Sequence, residues 1–407
     1  MPLNPLGIAT NRNIQSFIAK VSHSMIKLIT VVGARPQFIK AAAISRAIRT
    51  HFADRINEII LHTGQHYDDN MSAIFFEQLG IPQPKYNLSV GSSNHGKQTA
   101  EMMLKIEEIL LEEQPTAVLI YGDTNSTLAA ALAAAKIHIP VVHIEAGLRS
   151  FNKKMPEEIN RICSDHVSTL LFSPTQKGIE NLQHEGFNVN NRPPFHVDNP
   201  GTYLCGDIML DNALYFSKKA DEQPDTILKR LNLTDSNYVL VTLHRDTNTD
   251  NPDRLKAIFR GINTISKTHN LRIIFPLHPR TQRKIDELPD SEIKDILANN
   301  PLIAIIPPAP YLDFIQLEKN AQLIITDSGG IQKEAYFFKN KCLVLRNETE
   351  WVELIELGVA QLCPANEHQI VQGFESLYNK HDLQYPQLYG DGTAAEFILA
   401  RILENFA

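Results

Sequence analysis

The chain has no Cys-x-x-Cys pair. Its four cysteines, Cys163, Cys205, Cys342 and Cys363, are scattered, which excludes the usual zinc-chelating and dithiol arrangements and fits a reduced, cytoplasmic protein. It also lacks any run of about 18 apolar residues, so no segment reads as a membrane span. The first 24 residues carry no long apolar core and no small-residue cleavage site, which argues against a signal peptide. A surplus of positive charge is missing too. The 39 Lys and Arg stand against 46 Asp and Glu, a net of −7, which excludes a general electrostatic grip on nucleic acid or anionic lipid. No short-period repeat or low-complexity tract is visible, which excludes a solenoid. What remains is ordinary: 43% hydrophobic and 21% charged residues in 407, the composition of a folded globular chain. At about 150 residues per domain, that length allows two or three domains.

From Met25 onward, short apolar runs alternate with amphipathic stretches. I-K-L-I-T-V-V at 26–32 reads as a strand, and a helix opens near Pro36, a favoured first helical residue. A strand at 59–61 follows, then a helix over 98–112 with Met102, Met103, Ile106, Ile109 and Leu110 on one broad face. Next come strands at 117–121 and 141–144 around an alanine-rich helix, then a helix over 157–165. Such alternation predicts a parallel sheet covered on both faces. Residues 188–202, rich in Pro, Asn and Gly, read as a linker. The alternation then restarts, with strands near 239–242, 272–276, 304–306, 323–326 and 343–345. The expected fold class is therefore α/β, with two doubly wound Rossmann-like domains over 25–195 and 203–388. Residues 1–24 are expected to be a disordered leader or a misplaced start, and 389–407 a C-terminal helix that could pack on either domain.

In open parallel sheets, ligands bind beyond the carboxyl ends of the strands. V-V-G-A-R-P-Q-F-I-K at 31–40 puts Gly33 in a tight turn, Arg35 at a helix start and Lys40 one turn on. That arrangement favours an anion. It is neither Gly-x-Gly-x-x-Gly nor a Walker loop, so neither NAD nor ATP is implied. Two later strands end in Asp123 and Glu145, and M-P-E-E-I-N-R adds Glu157 and Glu158 with Arg161 close by. Clustered carboxylates push one another's pKa apart, so one can donate a proton while another accepts; the alternative is a salt-bridged network that caps helices. In the second half, strands end at His244-Arg245 and at His278 before Arg280. I-I-T-D-S-G-G-I-Q-K-E-A at 324–335 reads as strand, tight turn and helix, whose free backbone N–H groups can approach a phosphate. Glu334 in that helix is placed to accept hydrogen bonds from ribose hydroxyls. Together these predict a nucleoside diphosphate site facing the acids of the first domain.

The motifs G-A-R-P-Q, Y-G-D-T-N-S, H-I-E-A-G-L-R, P-E-E-I-N-R, T-L-H-R, T-D-S-G-G-I-Q-K-E-A and Y-G-D-G occur in this order. In them the chain resembles the non-hydrolysing UDP-N-acetylglucosamine 2-epimerases, from Met25 to the end. The resemblance implies a glycosyltransferase B-like fold with its active site in the interdomain cleft, a homodimer, no cofactor and no bound metal. It implies an isomerase acting on a UDP-linked 2-acetamido sugar for surface polysaccharide precursors, by C2 deprotonation, anti elimination of UDP and re-addition. By motif position, Asp123, Glu145 and Glu157 would be the acid/base carboxylates, with His244 also catalytic. Arg35, Lys40 and His278 would bind substrate, Ser328, Gly329 and Gly330 the phosphates, Glu334 the ribose, and the backbone at Phe314 the uracil.

Some positions depart from the family's pattern. Ala34 and Gln37 stand where many members have Thr and Glu, and Trp351-Val352 replaces an Arg-Pro pair beside the expected sugar pocket. An indole cannot supply a guanidinium's bidentate hydrogen bonds, and the replacement resembles members acting on UDP-2,3-diacetamido-2,3-dideoxyglucuronate. The segment T-G-Q-H-Y-D-D-N-M at 63–71 differs from that of members activated by a second substrate molecule, so no such regulation is expected. A glycosyltransferase of the same architecture is the rival reading, because fold does not determine chemistry, but it gives no reason for three acids around C2.

Overall fold

A computed structural model describes residues 25–64, 80–233 and 237–407. The expected leader at 1–24 and most of the 63–71 segment lie outside the described residues. The chain divides into two compact units, one comprising Met1–Asn212 with Gln387–Ala407 and the other Ala213–Pro386.

The first unit is built on a seven-stranded parallel sheet of order β3-β2-β1-β4-β5-β6-β7. Its strands are β1 (Ile26–Val32), β2 (Ile56–His62), β3 (Tyr86–Asn87), β4 (Ala117–Tyr121), β5 (Val141–Ile144), β6 (Leu170–Ser173) and β7 (Gly201–Leu204). β4, β5 and β6 are buried along their whole length, which is why they read as continuous apolar runs rather than alternating ones. On one face, Met102, Ile106 and Leu110 of the helix His95–Glu113 pack with Ala129, Ala130, Ala133 and Ala134 of the helix Asn125–Lys136 against Ile29, Val31, Val118 and Ile120. The alanines let that helix lie close to the sheet. Truncating one of the buried isoleucines to Ala would cost about 2–5 kcal/mol, from lost burial plus the cavity left behind.

The second unit carries a six-stranded parallel sheet of order β10-β9-β8-β11-β12-β13. The strands are β8 (Tyr238–Thr242), β9 (Arg272–Pro276), β10 (Ile303–Ile306), β11 (Leu323–Thr326), β12 (Lys341–Val344) and β13 (Ala360–Leu362). The helix Pro252–His269 buries Leu255, Ile258, Phe259 and Ile262, and the helix Glu367–Tyr378 buries Ile370 and Phe374, in one cluster with Val239, Val241, Phe275 and Leu343. Phe259 stacks on Phe275 with ring centroids 5.7 Å apart. In both sheets the strand order reverses beside the first strand, between β1 and β4 and between β8 and β11. These are the topological switch points at which doubly wound folds open a crevice.

Two expectations about organisation need correction. β7 lies beyond the 188–202 loop yet pairs with β6, Leu170 with Gly201 and Ser173 with Leu204, so the first unit runs past the expected boundary to Asn212, inside the helix Ile208–Asp221. The second unit ends at Pro386 rather than 388, and the C-terminal helix Ala394–Phe406 belongs to the first. Its N-terminus is capped by the buried Asp211 carboxylate, which accepts from Ala394 N at 3.2 Å and Ala395 N at 2.8 Å. Among the described residues, no helix is long and apolar enough to cross a membrane.

Candidate functional site

At the carboxyl end of the first sheet, the helix Arg35–Ala47 begins directly after β1, with Arg35 as its first residue. The Gln37 side chain ties the switch point together. Its Oε1 accepts from Gly33 N (2.8 Å) and Ala34 N (3.1 Å), while its Nε2 donates to Tyr121 O and Thr127 Oγ1, each at 3.0 Å. An amide suits this role because it both accepts and donates. One turn on, the Lys40 ammonium pairs with the Glu145 carboxylate. A Cβ on Gly122 would lie 3.1 Å from Lys40 Nζ and 3.4 Å from Glu145 Oε2, so this pair sits against the backbone that presents Asp123. Glu145 has φ +74°, a left-handed conformation that is strained for a residue with a side chain.

Asp123 is half-exposed and is gripped by Arg161, Nε at 3.0 Å and Nη2 at 2.8 Å from its Oδ2. Nη1 of the same guanidinium donates to Glu158 Oε2 at 2.5 Å. Glu158 also accepts from Ser150 N (3.0 Å) and Phe151 N (2.8 Å). Burial pushes the Glu158 carboxyl up, but the two backbone N–H groups and Arg161 outweigh it and hold it below the usual carboxylate range. Of the two adjacent glutamates, then, Glu158 is buried in the network while Glu157, the one singled out from sequence, is exposed in the first turn of the helix Pro156–His166.

Beneath these groups lies a buried relay that sequence reasoning missed. His143 on β5 meets Gly122 O through Nε2 at 2.8 Å and Asp165 Oδ1 through Nδ1 at 2.7 Å. Asp165 in turn accepts from Gly147 N (3.1 Å) and pairs with Arg149 (2.8 Å). Burial opposes ionisation of Asp165, yet His143 and Arg149 keep it below its ordinary value. The available signal was a histidine in an otherwise apolar strand.

At the carboxyl end of the second sheet, the fully buried Asp327 follows β11. It accepts from His244 N (3.2 Å), Arg245 N (3.0 Å) and Asn248 Nδ2 (3.1 Å), and its Oδ1 lies 3.3 Å from His244 Nδ1. One carboxylate thus joins the two sides of the switch point. Burial lowers the His244 pKa; Asp327 opposes this and Arg245 adds to it, leaving the imidazole below its usual value. The His278 ring lies 6.3 Å from that of His244 and caps the helix Pro279–Asp286 by accepting Arg280 N at 3.2 Å.

Ser328 caps the helix Gly329–Phe337, accepting Ile331 N at 3.5 Å. A Cβ on Gly330 would meet nothing closer than Ser328 Oγ at 3.9 Å, so the backbone is open there to close approach. Glu334 is buried on the same helix beside the fully buried Glu318. Burial first, then the proximity of Glu334, pushes the Glu318 carboxyl well above its usual range. Lys333, also buried, places its Nζ 4.2 Å from the centre of the buried Trp351 ring, a desolvated cation–π contact. Phe314 lies within the helix Tyr311–Asn320, where its N–H already donates to Pro310 O at 2.8 Å; that backbone donor is committed to the helix. The expected residues therefore gather in two groups. In the first unit Lys40 and Glu145 pair beside Gly122, which precedes Asp123, and in the second Ser328, Gly330, His244 and His278 stand at strand ends.

Two doubly wound parallel sheets, one ending in cation-braced carboxylates and the other in a glycine-rich helix start, define an α/β protein of the glycosyltransferase B-like class. Comparison with known proteins is more specific. The family model described as UDP-N-acetylglucosamine 2-epimerase matches residues 49–403, and the chain belongs to that family of isomerases. It is 46% identical over 380 residues to a protein named UDP-N-acetylglucosamine 2-epimerase homolog from Methanococcus maripaludis, covering 93% of this chain and 100% of the relative. It is 44% identical over 382 residues to the UDP-2,3-diacetamido-2,3-dideoxy-D-glucuronate 2-epimerase of Pseudomonas aeruginosa, covering 94% and 99%. Among solved structures, the UDP-GlcNAc 2-epimerase of Methanocaldococcus jannaschii in complex with UDP-GlcNAc and UDP is similar at a TM-score of 0.82 and 42% identity, over 93% of this chain and 99% of that one.

Proposed function

We propose that this chain is a non-hydrolysing 2-epimerase that interconverts UDP-N-acetylglucosamine and UDP-N-acetylmannosamine. The observation that carries this reading is the grouping of Asp123, Glu145 and Lys40 at adjacent strand ends, braced from behind by Arg161 and Glu158. The hydrogen on C2 is weakly acidic, so a positioned carboxylate must remove it while the bond from C1 to the UDP oxygen breaks and UDP departs with the electron pair. The 2-acetamidoglucal that results takes UDP back at C1 and a proton at C2 on the opposite face. The base and the acid come from Asp123, Glu145 and Glu157. Ser328, Gly329 and Gly330, with His244 beside them, receive the charge that develops on UDP, since donors already aimed at that charge need no reorganisation. Arg35 and Lys40 add positive potential, Glu334 takes the ribose, and the protein works as a cytoplasmic homodimer.

A second reading, UDP-2,3-diacetamido-2,3-dideoxyglucuronate as substrate, is favoured by one feature. Trp351-Val352 stands where many members carry Arg-Pro, with the Trp351 ring buried against Lys333, and the Pseudomonas aeruginosa relative is named for that activity. One assay addresses both readings. Purified protein is given each UDP sugar in deuterated water, and the product should be the C2 epimer carrying deuterium at C2. Epimer without solvent deuterium would defeat the elimination route. Free N-acetylmannosamine with UDP would mean a hydrolysing enzyme instead.

A further inference from the structure

The helix Gly329–Phe337 starts at two glycines whose surroundings differ. Gly330 is open, but a Cβ on Gly329 would lie 2.4 Å from Glu350 Oε1 and 3.8 Å from Arg346 Nη1. A carboxylate and a guanidinium therefore stand at the amino end of this helix, where unpaired N–H groups and the helix dipole favour an anion. Arg346 is buried and Glu350 nearly so, with side-chain exposures of 5% and 11%. Their charges meet at 3.0 Å, Nη1 to Oε2, but not in hydrogen-bonding geometry. Nη1 and Nη2 of Arg346 and Oε2 of Glu350 have no hydrogen-bond partner among the described residues.

Such an arrangement is costly as it stands. Guanidinium N–H groups buried without hydrogen-bond acceptors carry a desolvation cost that an ion pair offsets only in part, and burial pulls the Arg346 pKa down, with Glu350 only partly restoring it. Arg346 follows β12, whose Val344 pairs with Thr326 at the end of β11, so it stands on the ligand-binding edge of the sheet. A phosphate at the helix start would give Nη1 and Nη2 the acceptors they lack, in the bidentate geometry that a guanidinium offers. It could not share that position with the Glu350 carboxylate, because two anions would repel.

We propose that Arg346 is a diphosphate-binding residue and that Glu350 is its built-in competitor, a carboxylate standing at the helix start that the incoming UDP diphosphate displaces. This rests on the reading of the chain as a UDP-sugar enzyme and adds to it a pair of residues that tune how tightly the diphosphate is held. Glu350 shields Arg346 and weakens UDP binding, which favours release of nucleotide after turnover.

The test is calorimetric titration of the full-length protein with UDP and, separately, with uridine, which has no phosphate. Arg346→Ala should weaken UDP binding at least about tenfold and leave uridine affinity unchanged, with Arg346→Lys in between. Glu350→Gln should tighten UDP binding about three- to tenfold and again leave uridine unchanged. A gain in affinity cannot come from misfolding. If Glu350→Gln binds UDP no tighter than wild type, Glu350 is no competitor. If Arg346→Ala weakens UDP and uridine equally or neither, Arg346 is structural. A wild-type protein that binds neither compound would overturn the parent reading instead.

Discussion

The carboxyl ends of the two sheets share a strand order and differ in chemistry. At the first, charges are supplied by side chains and balanced against one another: Lys40 against Glu145, and Arg161 between Asp123 and Glu158. At the second, much of the positive potential belongs to the backbone, through the helix start at Ser328 to Gly330, and the single buried Asp327 organises the β8 side. Topology therefore sets where a site can open, and local ions set its charge and polarity. Buried acids make the same point. Glu158 and Asp165, each with an arginine, are held below the ordinary range, whereas Glu318 and Asp211, with no such partner among the described residues, are pushed above it. A net of −7 says nothing of this division.

The largest effect is expected where the comparison is sharpest. Asp123→Asn or Glu145→Gln should lower turnover by about 10²–10⁴-fold with UDP affinity within a few-fold of wild type, as read by steady-state kinetics and nucleotide titration. A variant with unchanged turnover would remove that residue from the chemistry. Next in size is Asp327→Ala, which strips three donors of a buried charged acceptor. It should destabilise the second unit by about 3 kcal/mol, seen as a lower denaturation midpoint, whereas a purely local role would leave that midpoint in place.

The smallest effect concerns pH. Burial raises the Asp211 carboxyl to about 7, partly offset by Ala395 N–H and reinforced by Glu396. Because the folded value lies above that of the unfolded chain, near 3.9, the folded form binds the proton more tightly in between. The stability this gives is full below about pH 4 and is lost as pH rises through about 7. Asp211→Asn turns one of the two helix N–H groups toward an amide NH2, so melting curves should show it less stable than wild type at pH 5, with the gap shrinking by pH 8. A gap that stays constant with pH would assign the cap a charged Asp211 throughout.

Much of the fold was legible. β1, β4 and β5 are buried on both faces, so they appear as apolar runs whatever surrounds them. β7 was not legible: G-T-Y-L is short and follows a loop rich in proline and asparagine, and only its pairing with β6 makes it a strand. In the candidate site, Asp123, Glu145 and the Ser-Gly-Gly turn could be read because each ends a recognisable strand. Their supports could not. Glu157 and Glu158 are neighbours with identical side chains, and their orientation on the helix Pro156–His166 decides which one is buried against Arg161. His143 and Asp165 are 22 residues apart, a separation that no local pattern encodes.

The sequence by itself determined the alternation of strands and helices, the doubly wound class and which polar residues stand at the strand ends, because hydrophobic periodicity and turn chemistry act over a few residues. Only the tertiary structure decided which of two glutamates is buried, that the C-terminal helix joins the first unit, and that Glu350 and Arg346 stand over Gly329. Those outcomes depend on desolvation and on charges brought together from distant segments, and neither exists until the chain has folded.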